Sequence, residues 1–288
     1  SSATAEDLPE ASFAGQQETF LNIKGKQEVV EAVKKCWASL FTARATYYRK
    51  KQGFDVKNVG IAVVVQRMVN SNASGVMFTA DPTGDKSKII IEAAFGLGEA
   101  VVSGAVTPDN YVVDKKTMRI VSKKISRQQF KIVRSGRETK RQAITDPLAG
   151  RQKLFDDLID DVAILGKKIE NIYGMPQDIE FAVENEEVFI VQTRAITTLG
   201  LGDKAKQVVK TEEEPLLTGL AGSPGVIIGK VCIVESLDEE AKLQKGNILV
   251  TKQTNPDWVV LMRRAAAIVT DEGGRTAHAA IVSRELGI

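Results

Sequence analysis

The stretch Asp178-Ile179-Glu180-Phe181-Ala182-Val183 places a bulky apolar side chain at every second position, which is the period of a β-strand. Ile179, Phe181 and Val183 would therefore lie on one face of the strand. Asp178 and Glu180 would lie on the other. This pattern predicts a strand with one face toward a core and one face that carries carboxylates.

A second strand follows after a short turn, and the two form a predicted hairpin over residues 177–194. Its residues Gln192 and Arg194 share one face. If even positions pair with even positions, one polar face gathers Asp178, Glu180, Gln192 and Arg194. A two-residue turn at Asn185-Glu186 would instead pair Glu180 with Val191, so we predict an odd-length turn, such as a three-residue loop at 185–187.

Such a polar face suits Mg²⁺ and polyphosphate. Oxygen ligands from carboxylates and amides hold a hard cation, and an arginine neutralises phosphate charge. The alternative that the pattern leaves open is a half-exposed hairpin whose charged face is merely solvated.

His278 is the only histidine of the chain, and it lies in Gly273-Gly274-Arg275-Thr276-Ala277-His278-Ala279-Ala280. Two glycines interrupt the chain just before an apolar helical pattern, so the imidazole is predicted at a helix start. Unpaired N–H groups and the helix dipole would stabilise a phosphoryl group there, and neutral imidazole is a nucleophile near pH 7. The alternative is a structural histidine that caps the helix.

Composition excludes several classes of protein. The 288 residues carry 39 basic and 37 acidic side chains, a net charge of +2 with both signs spread along the chain, which argues against a nucleic-acid partner. No apolar run approaches the roughly 20 residues that cross a bilayer, and the polar start does not resemble a signal peptide. Cys36 and Cys232 are expected to be reduced packing residues of a cytoplasmic protein.

Apolar periodicity predicts an α/β (α+β) fold. A helix is expected from Gln27 to about Lys50, with an apolar stripe against a sheet, and another from about Pro147 to Tyr173, ended by Gly174. The predicted strands before the hairpin are residues 59–68, 74–81, 87–95, 110–114, 118–123 and 130–134.

A polar segment at residues 200–215 lacks apolar periodicity and is predicted to be an exposed linker. It separates a first domain at 1–199 from a second at 216–288. Strands are expected in the second domain at 225–234, 247–251 and 266–270, with a middle helix from Pro256 that Asn255 caps.

Three weaker signals lie in the first domain. Gln66 ends a nearly all-apolar strand, and its amide would need a partner there, such as an adenine edge or, by default, the backbone. A turn at residues 12–19 and the glycine-rich run at 95–99 could each bring N–H groups to phosphates. The glycine-rich run lacks a Walker lysine, so an ordinary sheet-edge turn explains it equally well.

Two stretches carry a strong family resemblance. Residues 1–9 with Ser12-Phe13-Ala14-Gly15-Gln16 resemble part of the ATP-grasp domain of phosphoenolpyruvate synthases and their pyruvate phosphate dikinase relatives. Thr254-Asn255-Pro256-Asp257-Trp258, together with residues 270–288, is similar to the swivelling phosphohistidine domain of the same enzymes. The resemblance covers essentially the whole chain, and it implies the C-terminal part of an ATP-grasp domain followed by a partial phosphohistidine domain.

The resemblance implies the reaction ATP + pyruvate + water → phosphoenolpyruvate + AMP + phosphate, with Mg²⁺ as cofactor and His278 as phosphoryl carrier. Gly15, Thr19 and Gln66 would contact ATP. Glu180 and Gln192 would hold Mg²⁺ and nucleotide, with Arg194 on phosphate and Asp178 in support. Arg275 would hold the transferred phosphate. Thr276 matches a position that relatives phosphorylate for regulation.

Two departures from the family pattern concern the ends of the chain. The family's lid subdomain would precede residue 1, and its last carrier strands and a TIM barrel that binds pyruvate or phosphoenolpyruvate would follow residue 288. We therefore expect an internal fragment of a homo-oligomeric enzyme, inactive in the overall reaction by itself. A rifamycin phosphotransferase and a non-catalytic nucleotide-binding module are the rival interpretations. Trp258 and the residues before His278 favour the synthase.

Overall fold

The computed structural model describes residues 2–3, 7–8, 11–12, 18–42, 46, 60–196, 214–275 and 277–288. The chain divides into two units, Ser1–Asn70 with Val133–Arg141, and Ser71–Ile132 with Gln142–Ile288. Most of the predicted linker at 200–215 lies outside the described residues.

Within Ser1–Asn70, the described residues of the first unit form one long helix and four two-residue strands. The helix is α1, Lys26–Ser39, and the strands are β1 Ser2–Ala3, β2 Asp7–Leu8, β3 Ala11–Ser12 and β4 Ile61–Ala62. β1 pairs antiparallel with β4, and β2 with β3.

Two predictions for this unit were wrong. α1 ends at Ser39, and residues 43–45 and 47–50 of the predicted helix lie outside the described residues. In the predicted apolar stripe Leu40 is buried, whereas Trp37 and Phe41 are 52% and 67% exposed. The predicted strand at 59–68 is reduced to Ile61–Ala62 in the described residues. Among the described residues, Ile61 and Ala62 are the positions of this run that pair with β1.

The second unit is built on a six-stranded antiparallel sheet in the order β12-β11-β5-β6-β7-β8. Its strands are β5 Ala73–Phe78, β6 Lys88–Phe95, β7 Asp109–Asp114, β8 Arg119–Lys124, β11 Gln177–Glu184 and β12 Glu187–Ala195. A short helix, α2 Glu99–Val102, follows β6. A separate hairpin pairs β9 Phe130–Ser135 with β10 Glu138–Ala143, and its central part, Val133–Arg141, belongs to the first unit. β10 has no counterpart among the predicted strands.

One face of the sheet is covered by helix α3, Asp156–Tyr173. The buried core between them contains Met77, Ile89, Ile91, Tyr111, Ile159, Val162, Ile179, Phe181 and Val183. Gly166 allows close contact, because a Cβ there would lie 2.5 Å from the sulfur of Met77. The helix therefore packs against the apolar face of the hairpin, and the opposite face does not contact it.

Helix α3 ends as predicted and begins later than predicted. Gly174 adopts the left-handed conformation at φ 68°, and its N–H donates to the carbonyl of Glu170. Pro147 does not start the helix; it precedes a 3₁₀ turn at Leu148–Gly150. The helix starts at Asp156-Asp157, where acidic side chains favour the positive end of the dipole.

Residues beyond 214 form a three-stranded parallel sheet, β13 Val231–Ile233, β14 Ile248–Thr251 and β15 Ala267–Thr270. A 3₁₀ turn at Leu237–Lys242 follows β13, another at Pro256–Trp258 leads into helix α4 Val259–Met262, and helix α5 is His278–Leu286. Leu243, Leu249, Trp258, Leu261 and Met262 form the buried core of this part. The carbonyl oxygen of the Asn255 side chain accepts from the N–H of Asp257, which confirms Asn255 as a cap. Within the described residues no helix combines the length and apolar character that a bilayer crossing requires.

A buried ion pair joins the sheet to the segment that leads into α3. The Nζ of Lys153 lies 2.9 Å from Oδ1 of Asp109, and both side chains are fully buried. The hydroxyl of Tyr111 donates to Oδ2 of Asp109 at 2.7 Å. Burial and the neighbouring Asp109 raise the pKa of Tyr111, so its hydroxyl remains a donor.

Lys153→Met should destabilise the protein by about 3–5 kcal/mol, because it leaves the buried Asp109 carboxylate without its cation. Urea unfolding measures the loss. Arg127→Met is the matched control, since Arg127 and Asp146 form an ion pair that is 62% and 69% exposed, and its removal should cost under about 1 kcal/mol. Equal losses in the two variants would contradict a structural role for the buried pair.

Candidate functional site

The hairpin turn differs from the prediction. Glu184 pairs with Glu187 across a two-residue turn in which Asn185 and Glu186 have φ of 52° and 66°. Positive φ at both residues is typical of the mirror-image turn whose twist matches antiparallel strands. The predicted odd-length loop was therefore wrong.

A β-bulge restores the register that the turn alone would shift. Phe181 pairs with Ile190, yet the next pair is Glu180 with Gln192, so Val191 is the extra residue of β12. Beyond the bulge Asp178 pairs with Arg194. The predicted convergence of Asp178, Glu180, Gln192 and Arg194 on one face is thus confirmed, with a bulge in place of an odd loop.

Charges on this face are partly compensated. Nε and Nη2 of Arg194 each lie 2.8 Å from Oδ2 of Asp178. Burial raises the pKa of Glu180, the neighbouring Asp178 raises it further, and Arg194 opposes the change. Among the described residues, neither Glu180 nor Gln192 has a side-chain hydrogen-bond partner. The Glu180 carboxylate is therefore in surroundings that a bound cation would stabilise.

A row of side chains continues from the hairpin across the sheet. Glu180 pairs with Val76, Val76 with Glu92, and Glu92 with Asn110. Directly paired residues of an antiparallel sheet share a face, so Glu92 lies on the same face as Glu180, opposite α3. Two strand spacings separate Glu180 from Glu92, or about 10 Å between their backbones.

The loop before α5 contacts this face through Glu92. The buried carboxylate of Glu92 accepts the backbone N–H of Arg275 at 2.8 Å. The guanidinium of Arg275 forms an ion pair with Asp81, with Nη1 to Oδ2 at 2.8 Å. Arg275, expected to hold a phosphate, is therefore paired with a carboxylate in this arrangement.

His278 is the first residue of α5, as predicted, and it is half-buried, not enclosed in a hydrophobic interior. The hydroxyl of Thr254 lies 2.8 Å from Nδ1 of the imidazole. In a neutral imidazole, a hydrogen bond at one ring nitrogen determines whether the proton lies on that nitrogen or on the other. Thr276, the predicted regulatory position, lies outside the described residues.

Arg284 on the same helix holds the loop in place. Its Nη2 donates to the carbonyl of Arg275 at 3.0 Å, and its Nη1 donates to the carbonyl of Gly222 at 2.7 Å. The guanidinium also lies 5.9 Å from the ring centre of Phe78, the strand residue that pairs with Asp178. Helix α5 therefore lies over the polar face of the sheet.

The remaining predicted ATP contacts belong to the first unit. Gly15 lies outside the described residues, and Thr19 is exposed. Gln66 is exposed and lies outside any strand, so the expectation of a buried amide at a strand end was wrong. In the second unit, the N–H groups of Gly96 and Leu97 donate to the carbonyls of Asn72 and Ile132, as expected of the sheet-edge turn.

Three residues of this site escaped the sequence analysis. Glu92 had a signal, because a lone carboxylate inside the apolar run Lys88–Phe95 would be costly to bury without partners. Thr254 belongs to the stretch Thr254–Trp258 that carries the family resemblance, but the sequence predicted no function for its side chain. Asp81 follows a strand end, and sequence alone does not connect it with Arg275.

Glu180→Gln should raise the free energy of unfolding at pH 8 without added metal, because the ionised carboxylate is destabilised by burial and by Asp178. The gain in stability should disappear as the pH falls below 4.5, the ordinary pKa of a glutamate, because Glu180 is then protonated in both the folded and the unfolded state. Thermal unfolding from pH 4 to 8 measures it, with Glu184→Gln on the same strand as control. A loss of stability at pH 8 would contradict this electrostatic account.

Two family models match this chain, one for each of its two parts. Residues 1–215 match the model of the pyruvate phosphate dikinase AMP/ATP-binding domain, and residues 243–288 match the PEP-utilising enzyme mobile domain. The chain is 55% identical over its full length to a probable phosphoenolpyruvate synthase of Archaeoglobus fulgidus, covering 39% of that protein. It is 54% identical over its full length to the phosphoenolpyruvate synthase of Pyrococcus furiosus, covering 37%.

The chain thus spans about two fifths of the length of these relatives. The resemblance stated from the sequence motifs is confirmed, and both parts of the chain match the parts of the family that the motifs indicated. The chain belongs to the pyruvate phosphate dikinase family of PEP-utilising enzymes.

Proposed function

We propose that this chain is the ATP-binding and phosphohistidine-carrier region of a phosphoenolpyruvate synthase. Residues 1–199 would form an ATP-grasp domain, 200–215 a linker, and 216–288 a swivelling carrier domain. The overall reaction would be ATP + pyruvate + water → phosphoenolpyruvate + AMP + phosphate. His278 would carry the phosphoryl group, as the names of the relatives and the mobile-domain match support.

The observation that carries this proposal is the position of His278. Its imidazole begins a nine-residue helix, where N–H groups and the dipole favour an anion. The same helix lies over the face that presents Glu180, Gln192 and Arg194. A nucleophile and a set of phosphate and metal ligands on one face are what phosphoryl transfer requires.

Thr254 would select the reacting nitrogen. If Nδ1–H donates to the Thr254 hydroxyl at 2.8 Å, the lone pair lies on Nε2, which becomes the nucleophile. A bond from Nε2 to the β-phosphorus would form as the link between the α- and β-phosphates breaks, and AMP would leave. Water would then release the terminal phosphate and leave one phosphoryl group on the histidine.

The polar face of the hairpin fits a magnesium nucleotide. Glu180 supplies a carboxylate that burial and Asp178 destabilise, and Gln192 adds an amide oxygen directly opposite on the neighbouring strand. Bound Mg²⁺ would neutralise phosphate charge. Arg194, held by Asp178, would bind a phosphate oxygen through its remaining donors. Arg275 would bind the phosphoryl group on His278.

Other assignments rest on the family pattern. Gly15, Thr19 and Gln66 would contact ATP, and Thr276 would be a site of regulatory phosphorylation. Pyruvate would bind to a part of the enzyme outside residues 1–288, and the full-length enzyme would be a homo-oligomer.

The full-length enzyme incubated with Mg²⁺ and ATP labelled at the β-phosphate should acquire an acid-labile label, because phosphohistidine is a phosphoramidate. His278→Asn should abolish that label, because His278 is the only histidine within residues 1–288. Asn keeps a polar side chain of similar size at the helix start. No label in the unsubstituted protein, or label that survives the substitution, would refute the carrier assignment.

Thr254→Val should slow labelling from ATP by about 10-fold, because the imidazole loses the partner that orients it. Thr254→Ser keeps the hydroxyl and should label at nearly the rate of the unsubstituted protein. NMR of the labelled protein should show phosphorus on Nε2. Equal rates for Val and Ser, or phosphorus on Nδ1, would show that Thr254 does not select the nitrogen.

A further inference from the structure

We propose that Asp81 and Glu92 form an acidic seat that positions the carrier loop Gly273-Gly274-Arg275 for transfer from ATP. This inference rests on the proposed function. Both carboxylates form hydrogen bonds with Arg275 of that loop, so they would be positioning residues that act through the loop.

Within the acidic seat, Glu92 contacts the backbone of the carrier loop. It is fully buried, and its Oε1 accepts the N–H of Arg275 at 2.8 Å and lies 3.4 Å from Nδ2 of Asn110. Gly274 makes this approach possible, because a Cβ at that position would lie 2.5 Å from Oε2 of Glu92. The loop backbone at Gly274 therefore lies so close to Glu92 that a side chain at this position would not fit.

Within the acidic seat, Asp81 contacts the side chain of Arg275, and its two carboxylate oxygens have different partners. Oδ1 accepts the N–H and the hydroxyl of Thr83 at 2.8 and 2.7 Å, which fixes the carboxylate in a tight turn. Oδ2 receives Nη1 of Arg275 at 2.8 Å. The side chains of Asp81 and Arg275 are only 13% and 19% exposed, so water screens this ion pair weakly.

Two further contacts hold the start of α5 beside the seat. A Cβ at Gly104 would lie 3.3 Å from the Cβ of Ala277, the residue before His278. Arg284 ties the carbonyl of Arg275 to the helix and lies over Phe78. The seat therefore determines where His278 lies relative to the face that carries Glu180.

Position is decisive for the proposed chemistry. In-line attack on a phosphate needs the nucleophile within a few tenths of an ångström of the reactive geometry, and a shift of about 1 Å can cost 10²-fold in rate. A loss of the seat should therefore slow transfer from ATP. It should leave the intrinsic reactivity of the imidazole toward a small phosphoryl donor unchanged.

Asp81→Asn tests this inference because it preserves one oxygen for the Thr83 turn and replaces the other with an amide that faces the guanidinium. Labelling of His278 from ATP should slow by about 10- to 100-fold. Phosphorylation of His278 by potassium phosphoramidate, which needs no nucleotide site, should change less than twofold.

Asp85→Asn is the matched control. Asp85 lies in the same connection between β5 and β6 and accepts the N–H and hydroxyl of Ser87 in an equivalent turn. It has no described contact with the carrier loop, and both labelling rates should match those of the unsubstituted protein. Gly274→Ala, which forces the loop away from Glu92, should behave like Asp81→Asn.

The outcomes separate the two proposals. Slower ATP labelling in Asp81→Asn and Gly274→Ala, with intact phosphoramidate labelling, supports the acidic seat. Unchanged ATP labelling in both variants overturns the seat and leaves the proposed function standing. Loss of phosphoramidate labelling in both also overturns it, because the substitutions then damage the carrier itself. Failure of ATP to label the unsubstituted full-length enzyme overturns both proposals.

Discussion

The bulge at Val191 is the constraint on which the rest of the site depends. A two-residue turn sets the hairpin register near Glu184, and without an extra residue Glu180 would face Val191 across the strands. Because side chains alternate with a period of two, that slip would send Gln192 and Arg194 to the face covered by α3. The bulge returns them to the side of Asp178 and Glu180, where the carrier loop lies.

The sheet then separates two kinds of interaction. On one face, apolar side chains pack against α3 and supply much of the burial that stabilises this unit. On the other, a row of side chains runs from Gln192 to Asn110 and is polar except for Val76, with Glu92 fully buried beneath the loop that contains Arg275. A buried carboxylate persists only with hydrogen-bond donors, and the N–H of Arg275 is one of them. The start of α5 is thereby linked to the same strands that present Glu180.

Local pattern predicted much of this arrangement. β-Branched and aromatic composition between glycines indicated strands of the large sheet, alternation of apolar residues indicated the polar face of the hairpin, and Gly174 marked the end of α3. The turn type was missed because a bulge leaves no local sequence signal: Val191 fits a regular strand as well as a bulged one. The apolar run after Gly60 has the composition of a strand, although in the described residues only Ile61 and Ala62 are paired. The contacts of Glu92 and Asp81 with Arg275 join residues 183 and 194 positions apart, which no local pattern can predict.

We expect a metal nucleotide on the hairpin face to lie close to the imidazole of His278. Mn²⁺ bound with a non-hydrolysable ATP analogue is the most direct test, since the ring protons of His278 are unambiguous in a chain with one histidine. We expect Mn²⁺ to broaden these resonances strongly, and the effect to disappear in Glu180→Gln. Sharp, unshifted His278 resonances in the presence of bound Mn²⁺ nucleotide would contradict the central claim that the carrier and the nucleotide face act together.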